Sequence, residues 1–167
     1  PSYRLARDVL DQEIERIVAM GIDLHLKAQV MDHAALSALN ESHDAVFLAT
    51  GASLPKQLPS LDYPQPWVID SADFLAAPVD TQKAQAGASV VVIGGGSAAM
   101  DVARSARRLG CAVTVLSLEP EGRLPAQQAE ITEAGEEDIR FVTGAMLQSA
   151  APGDQGLTLN CVKVDFT

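Results

Sequence analysis

Aromatic side chains are scarce, making up 4% of the 167 residues. Stacking platforms for single-stranded nucleic acid need several of them, so that class of binding is excluded. Basic residues are also few. There are 12 Lys and Arg against 22 Asp and Glu, for a formal net charge of −10. A chain of that sign does not bind nucleic acid or anionic membrane broadly, and only a local basic stripe stays open. The apolar runs are far short of a membrane span, and no secretory signal is read at the start. Neither nucleic acid nor membrane is therefore expected as a partner. Cysteine is limited to Cys111 and Cys161, with no C-x-x-C pair and no zinc spacing. Cys111 precedes a strand and reads as a buried structural thiol, and a reducing, cytoplasmic setting fits such usage. His25, His33 and His43 have no companion cysteines, so no metal site is expected.

What is present is a chain that can bury a core, 47% hydrophobic and 20% charged. It opens at Pro1 rather than Met and runs directly into a helical pattern, which leaves open both processing of the start and a piece of a longer protein. From Leu5 to Met20 apolar residues recur at helical spacing, with Gly21 placed to end the helix. Ile22, Leu24 and Leu26 alternate with polar residues, as in a half-buried strand. Asp32 is placed to cap a short helix over 34–39. AVFLA after Asp44 reads as a buried parallel strand ending in Thr50 and Gly51. Five of the nine prolines fall between Pro55 and Pro78, which reads as a linker holding one short helix near Ser71 to Ala76. Gln82 to Gly87 reads as a polar lead into the next strand.

The second half alternates strand and helix. Ser89 to Ile93 is a strand, a helix runs to Leu109 and stops at Gly110, and Ala112 to Ser117 is a second strand. Ala99, Val102, Ala103 and Ala106 share the buried face of that helix, with Arg104, Arg107 and Arg108 largely opposite. Leu124 to Ala134 reads as helix with Pro125 in its first turn. Ile139 to Val142 is a short strand, and the tail to Val164 reads as a small antiparallel meander. No internal repeat or low-complexity tract is present.

Between the first strand and its helix lies Gly94-Gly95-Gly96-Ser97-Ala98-Ala99, which fits G-x-G-x-x-[G/A]. Gly94 permits the tight turn. Gly96 lets a pyrophosphate approach the backbone, and Ala99 lets the helix pack close to the strand. The helix start offers its free amides and positive dipole end to the phosphates. A glycine turn that serves packing alone is the competing reading; three glycines in a row weaken a turn unless something must come close. Asp101 suits the helix dipole and reads as structural. At the end of the second strand, Glu119 is the candidate partner of the ribose hydroxyls, favouring NADH over NADPH. An acidic loop residue facing water is the alternative, and Arg123 is placed to serve a 2′-phosphate.

PSYRLARDVLDQEI, HDAVFLATGA, VVVIGGGSAAMDVARSARRLG and LPAQQAEITEA, in that order, resemble the NAD(P)H- and FAD-dependent oxidoreductases of the glutamate synthase small-subunit type. The flavin half of dihydropyrimidine dehydrogenase is of the same group. The resemblance covers nearly the whole chain. It implies an α/β fold: a Rossmann-type three-layer nucleotide-binding domain with the small meander, plus part of a second, FAD-type domain. It further implies that residues 1–53 are part of a split FAD domain ending in the ATG crossover, residues 54–86 a Pro-rich linker, and residues 87–167 the NAD(P)H-binding domain. The glycine turn of the FAD domain would precede Pro1, and the closing FAD segment would follow Thr167. Thr50 and Gly51 join Gly94, Gly95, Gly96, Ser97, Ala98, Ala99 and Glu119 as cofactor-binding candidates, with no catalytic residue and no metal ligand. The implied activity of the whole protein is hydride transfer from NAD(P)H to FAD and onward to iron–sulfur centres in a further domain or subunit. The fragment alone is expected to be inactive. The family often has Asn-Thr where Ser97-Ala98 stand, and its NADPH-using members have paired basic residues where Leu118-Glu119 stand. Two other function classes compete. One is a non-catalytic NAD(H)-binding sensor, which flanking FAD motifs would argue against. The other is a direct nicotinamide dehydrogenase, which Tyr3 and Tyr63, outside the nucleotide half, do not equip.

Overall fold

The computed structural model describes residues 1–52, 54–154 and 156–165, and the chain divides into two units, Pro1–Leu54 and Pro55–Thr167. The boundaries read at Ser53 and Thr167 lie outside the described residues.

Among the described residues the first unit has two helices, α1 (Arg7–Val18) and α2 (His33–Ser42). Gly21 has φ +96° just beyond α1, as its reading as a stop requires. Asp32 caps α2, its Oδ1 accepting from the Ala35 amide at 2.8 Å. The two strands expected here do not form. Residues 22–26 and the AVFLA run are without ladder partners among the described residues, and Phe47 is 91% exposed. A strand exists only as a pairing. An apolar run without a neighbour keeps its intrinsic preference but has nowhere to send its amides and carbonyls.

The second unit starts with α3 (Ser71–Ala76) and α4 (Val79–Ala86), so the stretch read as linker carries two helices rather than one. Gln82 to Ala86, read as a lead into the next strand, is the body of α4. Proline obscured this because it is tolerated at a helix start, and Pro78 stands at the α4 N-cap. Asp70 caps α3, Oδ1 accepting from the Ala72 amide at 2.8 Å. Phe74 and Ala86 are buried in the core, and the Gln82 side-chain amide donates to the Phe74 carbonyl at 2.8 Å.

A parallel sheet follows in the order β1 (Ser89–Ile93), β2 (Ala112–Leu116), β3 (Arg140–Val142). Val90 pairs with Val113, Val92 with Val115, and Val115 with Phe141. These alternate positions share one face. They pack with Met100, Ala103 and Ala106 of α5 (Ser97–Arg108), and with Ala134 of α6 (Gln128–Glu136). Val91, on the opposite face, is 41% exposed. Gly110, with φ +95°, ends α5. Cys111 is buried as expected, its thiol donating to the Gly87 carbonyl at 3.2 Å. The meander is a two-stranded antiparallel hairpin, β4 (Ala145–Gly153) with β5 (Gly156–Lys163).

Two details of the helices differ from expectation. α6 starts at Gln128 rather than Leu124, because the Ala126 amide is taken by the Gly95 carbonyl at 3.0 Å. The Gln127 amide then donates to Glu130 at 3.3 Å, closing the helix start. Arg104 is not on the polar face of α5 but is 6% exposed. It donates to Glu137 from Nε at 3.0 Å and Nη2 at 2.9 Å, and from Nη1 to Glu133. Arg108 reaches the same Glu137 oxygen at 2.7 Å.

Burial pushes the Glu137 carboxyl up, but hydrogen bonds from Arg108 and Arg104, and their positive charge, outweigh it and hold it below its ordinary value of 4.5. A group held low in the folded chain contributes stability that is complete above the ordinary value and lost as pH falls through the lower one. Urea midpoints of the native chain are therefore expected to drop faster on acidification through the carboxylate range than those of Glu137→Gln. Parallel curves would show that the arginines do not hold Glu137 ionised.

Candidate nucleotide-binding site

The site is built where β1 hands over to α5. Gly94 has φ +129°, a conformation closed to most side chains, and its amide still donates to the Leu116 carbonyl at 2.9 Å. The turn thus leaves the sheet without losing a ladder bond. A methyl group on Gly94 would lie 3.8 Å from the Ala99 Cβ, so strand end and helix meet at van der Waals distance. Gly95 is buried. A methyl group there would lie 2.6 Å from Ser117 Oγ, 2.7 Å from Leu124 Cδ2 and 3.2 Å from Glu119 Oε2. Gly96 is the α5 N-cap, and a methyl group on it would meet nothing within 4 Å. The three glycines therefore have separate reasons: backbone sign at Gly94, packing at Gly95, open space at Gly96.

Ser97, Ala98 and Ala99 form the first turn of α5, where amides have no acceptor within the helix. The Met100 amide makes the first helical bond, to the Gly96 carbonyl at 3.1 Å. Asp101 lies behind this turn, further along α5.

Glu119 stands just past β2 and comes to the glycine turn. Its Oε2 accepts from the Ser117 hydroxyl at 2.5 Å, and its amide donates to that hydroxyl at 3.3 Å. Its carbonyl accepts from the Gly144 amide at 2.8 Å. Ser117 is fully buried. Reading the sequence placed Ser117 only at a strand end and gave Leu124 and Gly144 no part in the site; the S-x-E spacing was the available signal. Arg123 is exposed, four residues past Glu119. Thr50 and Gly51 belong to the first unit, where both are exposed and Gly51 has φ +68°. Among the described residues no three His, Cys, Asp or Glu side chains are grouped to hold a metal ion, and no helix is long and apolar enough to cross a membrane.

A parallel βαβ unit with a glycine turn at the helix start and an acid after the second strand defines a dinucleotide-binding architecture. The chain belongs to the pyridine nucleotide-disulphide oxidoreductase family, whose model matches residues 5–165. It is 36% identical over 84% of its length to the NADP(+)-dependent formate dehydrogenase subunit beta of Moorella thermoacetica, covering 20% of that protein. It is 32% identical over 85% of its length to a putative glutamate synthase [NADPH] small chain of Cereibacter sphaeroides, covering 37% of it. It is 34% identical over 86% of its length to the NAD-dependent dihydropyrimidine dehydrogenase subunit PreT of Escherichia coli, covering 35% of it. The likeness to the glutamate synthase small-subunit group thus holds. The chain spans between a fifth and two fifths of the length of these relatives, and their names differ in the nucleotide they specify.

Proposed function

We propose that this chain is the nicotinamide-nucleotide-binding part of a larger oxidoreductase and takes NADH in preference to NADPH. One observation carries the reading: the turn at the α5 start is open at Gly96 and has the Glu119 carboxylate beside it at Gly95. Membership of a pyridine nucleotide family supports it. The amides of Ser97, Ala98 and Ala99 would hold the pyrophosphate, with the helix dipole behind them. With a net charge of −10, backbone groups rather than a basic patch do this work. Glu119 would accept from ribose hydroxyls and repel a 2′-phosphate.

In a longer protein of this kind a flavin would supply the hydride acceptor, and an iron–sulfur domain or subunit would take the electrons onward. Hydride passage between stacked rings needs no protein acid or base, so no catalytic residue is assigned to this chain. Thr50 and Gly51, exposed in the first unit, do not by themselves make a flavin site, and the chain alone is expected to pass no hydride. Its two free thiols suit a cytoplasmic setting.

Titration of the chain with NADH, followed by fluorescence of its single Trp67 or by calorimetry, tests the reading. Saturable binding is expected, and Gly96→Val, which fills the open space, is expected to weaken it about tenfold or more. Absence of saturation at millimolar NADH would sink the assignment.

A further inference from the structure

We propose that Ser117 is the positioning residue that sets nucleotide choice, by tethering the Glu119 carboxylate at the glycine turn. The inference rests on the nucleotide-binding reading of that turn. A glutamate just past a strand, on a flexible two-methylene arm, loses rotamer freedom when fixed. Untethered, it would spread its charge over many positions and discriminate weakly. Ser117 removes that freedom. Its own place is fixed on both sides, its amide donating to the Val142 carbonyl at 2.9 Å and its carbonyl accepting from the Ala145 amide at 3.0 Å. Its side chain is fully buried, so rotation of the hydroxyl is the freedom left to it.

The hydroxyl has one proton to give and gives it to Glu119 Oε2 at 2.5 Å. A neutral donor to an ionised acceptor at this length is a charge-assisted bond. The same oxygen accepts the Glu119 amide at 3.3 Å, closing a small ring over Ser117, Leu118 and Glu119. The ring fits because Gly95 has no side chain: a methyl group there would press on both Ser117 Oγ, at 2.6 Å, and Glu119 Oε2, at 3.2 Å. With Oε2 committed to the serine, Oε1 remains to accept from a ribose hydroxyl. A fixed carboxylate also presents its charge at a constant place to any 2′-phosphate. Binding of the two nucleotides should therefore respond to Ser117 in opposite senses.

The test compares NADH and NADPH dissociation constants for the native 167-residue chain and for Ser117→Ala, Glu119→Gln and the double variant. Ser117→Ala is expected to reduce the preference for NADH about fivefold, and Glu119→Gln at least as far. In the Glu119→Gln background Ser117→Ala is expected to change the preference no further, because the serine acts only through the carboxylate. Glu119→Asp provides a second route that leaves the buried serine intact. Its shorter arm breaks the tether while keeping the charge, and its preference should fall with that of Ser117→Ala.

A merely structural serine would weaken both nucleotides equally and leave their ratio unmoved; that result overturns the proposal while the nucleotide reading stands. So does a full preference in Glu119→Asp, or an added effect of Ser117→Ala on Glu119→Gln. Failure of the native chain to saturate with either nucleotide overturns the underlying reading instead.

Discussion

Arg104→Ala is expected to lower the unfolding free energy of the second unit by about 3 kcal/mol, the scale for breaking a buried pair from one side. The Arg104 side chain is 7% exposed and Glu137 21%, whereas Glu133 is 52% exposed. The bond to Glu133 is therefore worth little, and the loss is centred on Glu137. Among the described residues its Oε2 is buried with no hydrogen-bond partner, so removing Arg104 leaves the carboxylate to the more exposed Arg108. The melting temperature is expected to fall by about 10 °C. Arg104→Met keeps the apolar stem but not the charge and should lose nearly as much. Arg104→Met with Glu137→Met should recover much of it, since an apolar pair of similar volume replaces the ions. A loss below about 1 kcal/mol in Arg104→Ala would show that the pair behaves as a surface ion pair.

Gly95→Ala and Gly96→Ala, one residue apart, are expected to behave very differently. At Gly95 the added carbon meets Ser117 Oγ at 2.6 Å and Leu124 Cδ2 at 2.7 Å, inside any real carbon contact. Relief requires moving a fully buried serine at a strand end, and overpacking of this kind costs about 1–3 kcal/mol. Nucleotide preference should fall as well, because the carbon also displaces Glu119. At Gly96 nothing lies within 4 Å and φ is −86°, so alanine should cost less than about 1 kcal/mol, chiefly as a poorer N-cap. Urea unfolding monitored through Trp67 separates the two variants. Equal losses would show that the turn does not distinguish its glycines.

The contrast at these neighbouring residues marks how far the sequence could be read. The strand, glycine turn, helix and second strand from Ser89 to Leu116 were legible because every signal there is local: a β-branched run, a turn needing glycine, a 3.6-residue apolar stripe, a glycine stop. Gly95 was legible as part of a motif but not as a packing residue. Its neighbours Ser117 and Leu124 are more than 20 positions away in the chain, and only the fold brings them together. Arg104 was misplaced for the same reason: helical spacing sets its angle on α5, while its burial is decided by the acids of α6. In the first unit the error ran the other way. Ile22–Leu26 and AVFLA have the composition of strands, but strand formation is a property of pairs, and neither run has a partner among the described residues.

The central place of α5 also bears on ligand energetics. β1, β2, α3, α4 and α6 all touch this helix, and its amino end is the glycine turn. Its first turn cannot loosen without unpacking the layer behind it. A molecule held there is therefore linked to unfolding of the whole second unit, and not to the ordering of a loop. By mass action, each tenfold excess of such a ligand over its dissociation constant adds about 1.4 kcal/mol to the stability of the unit.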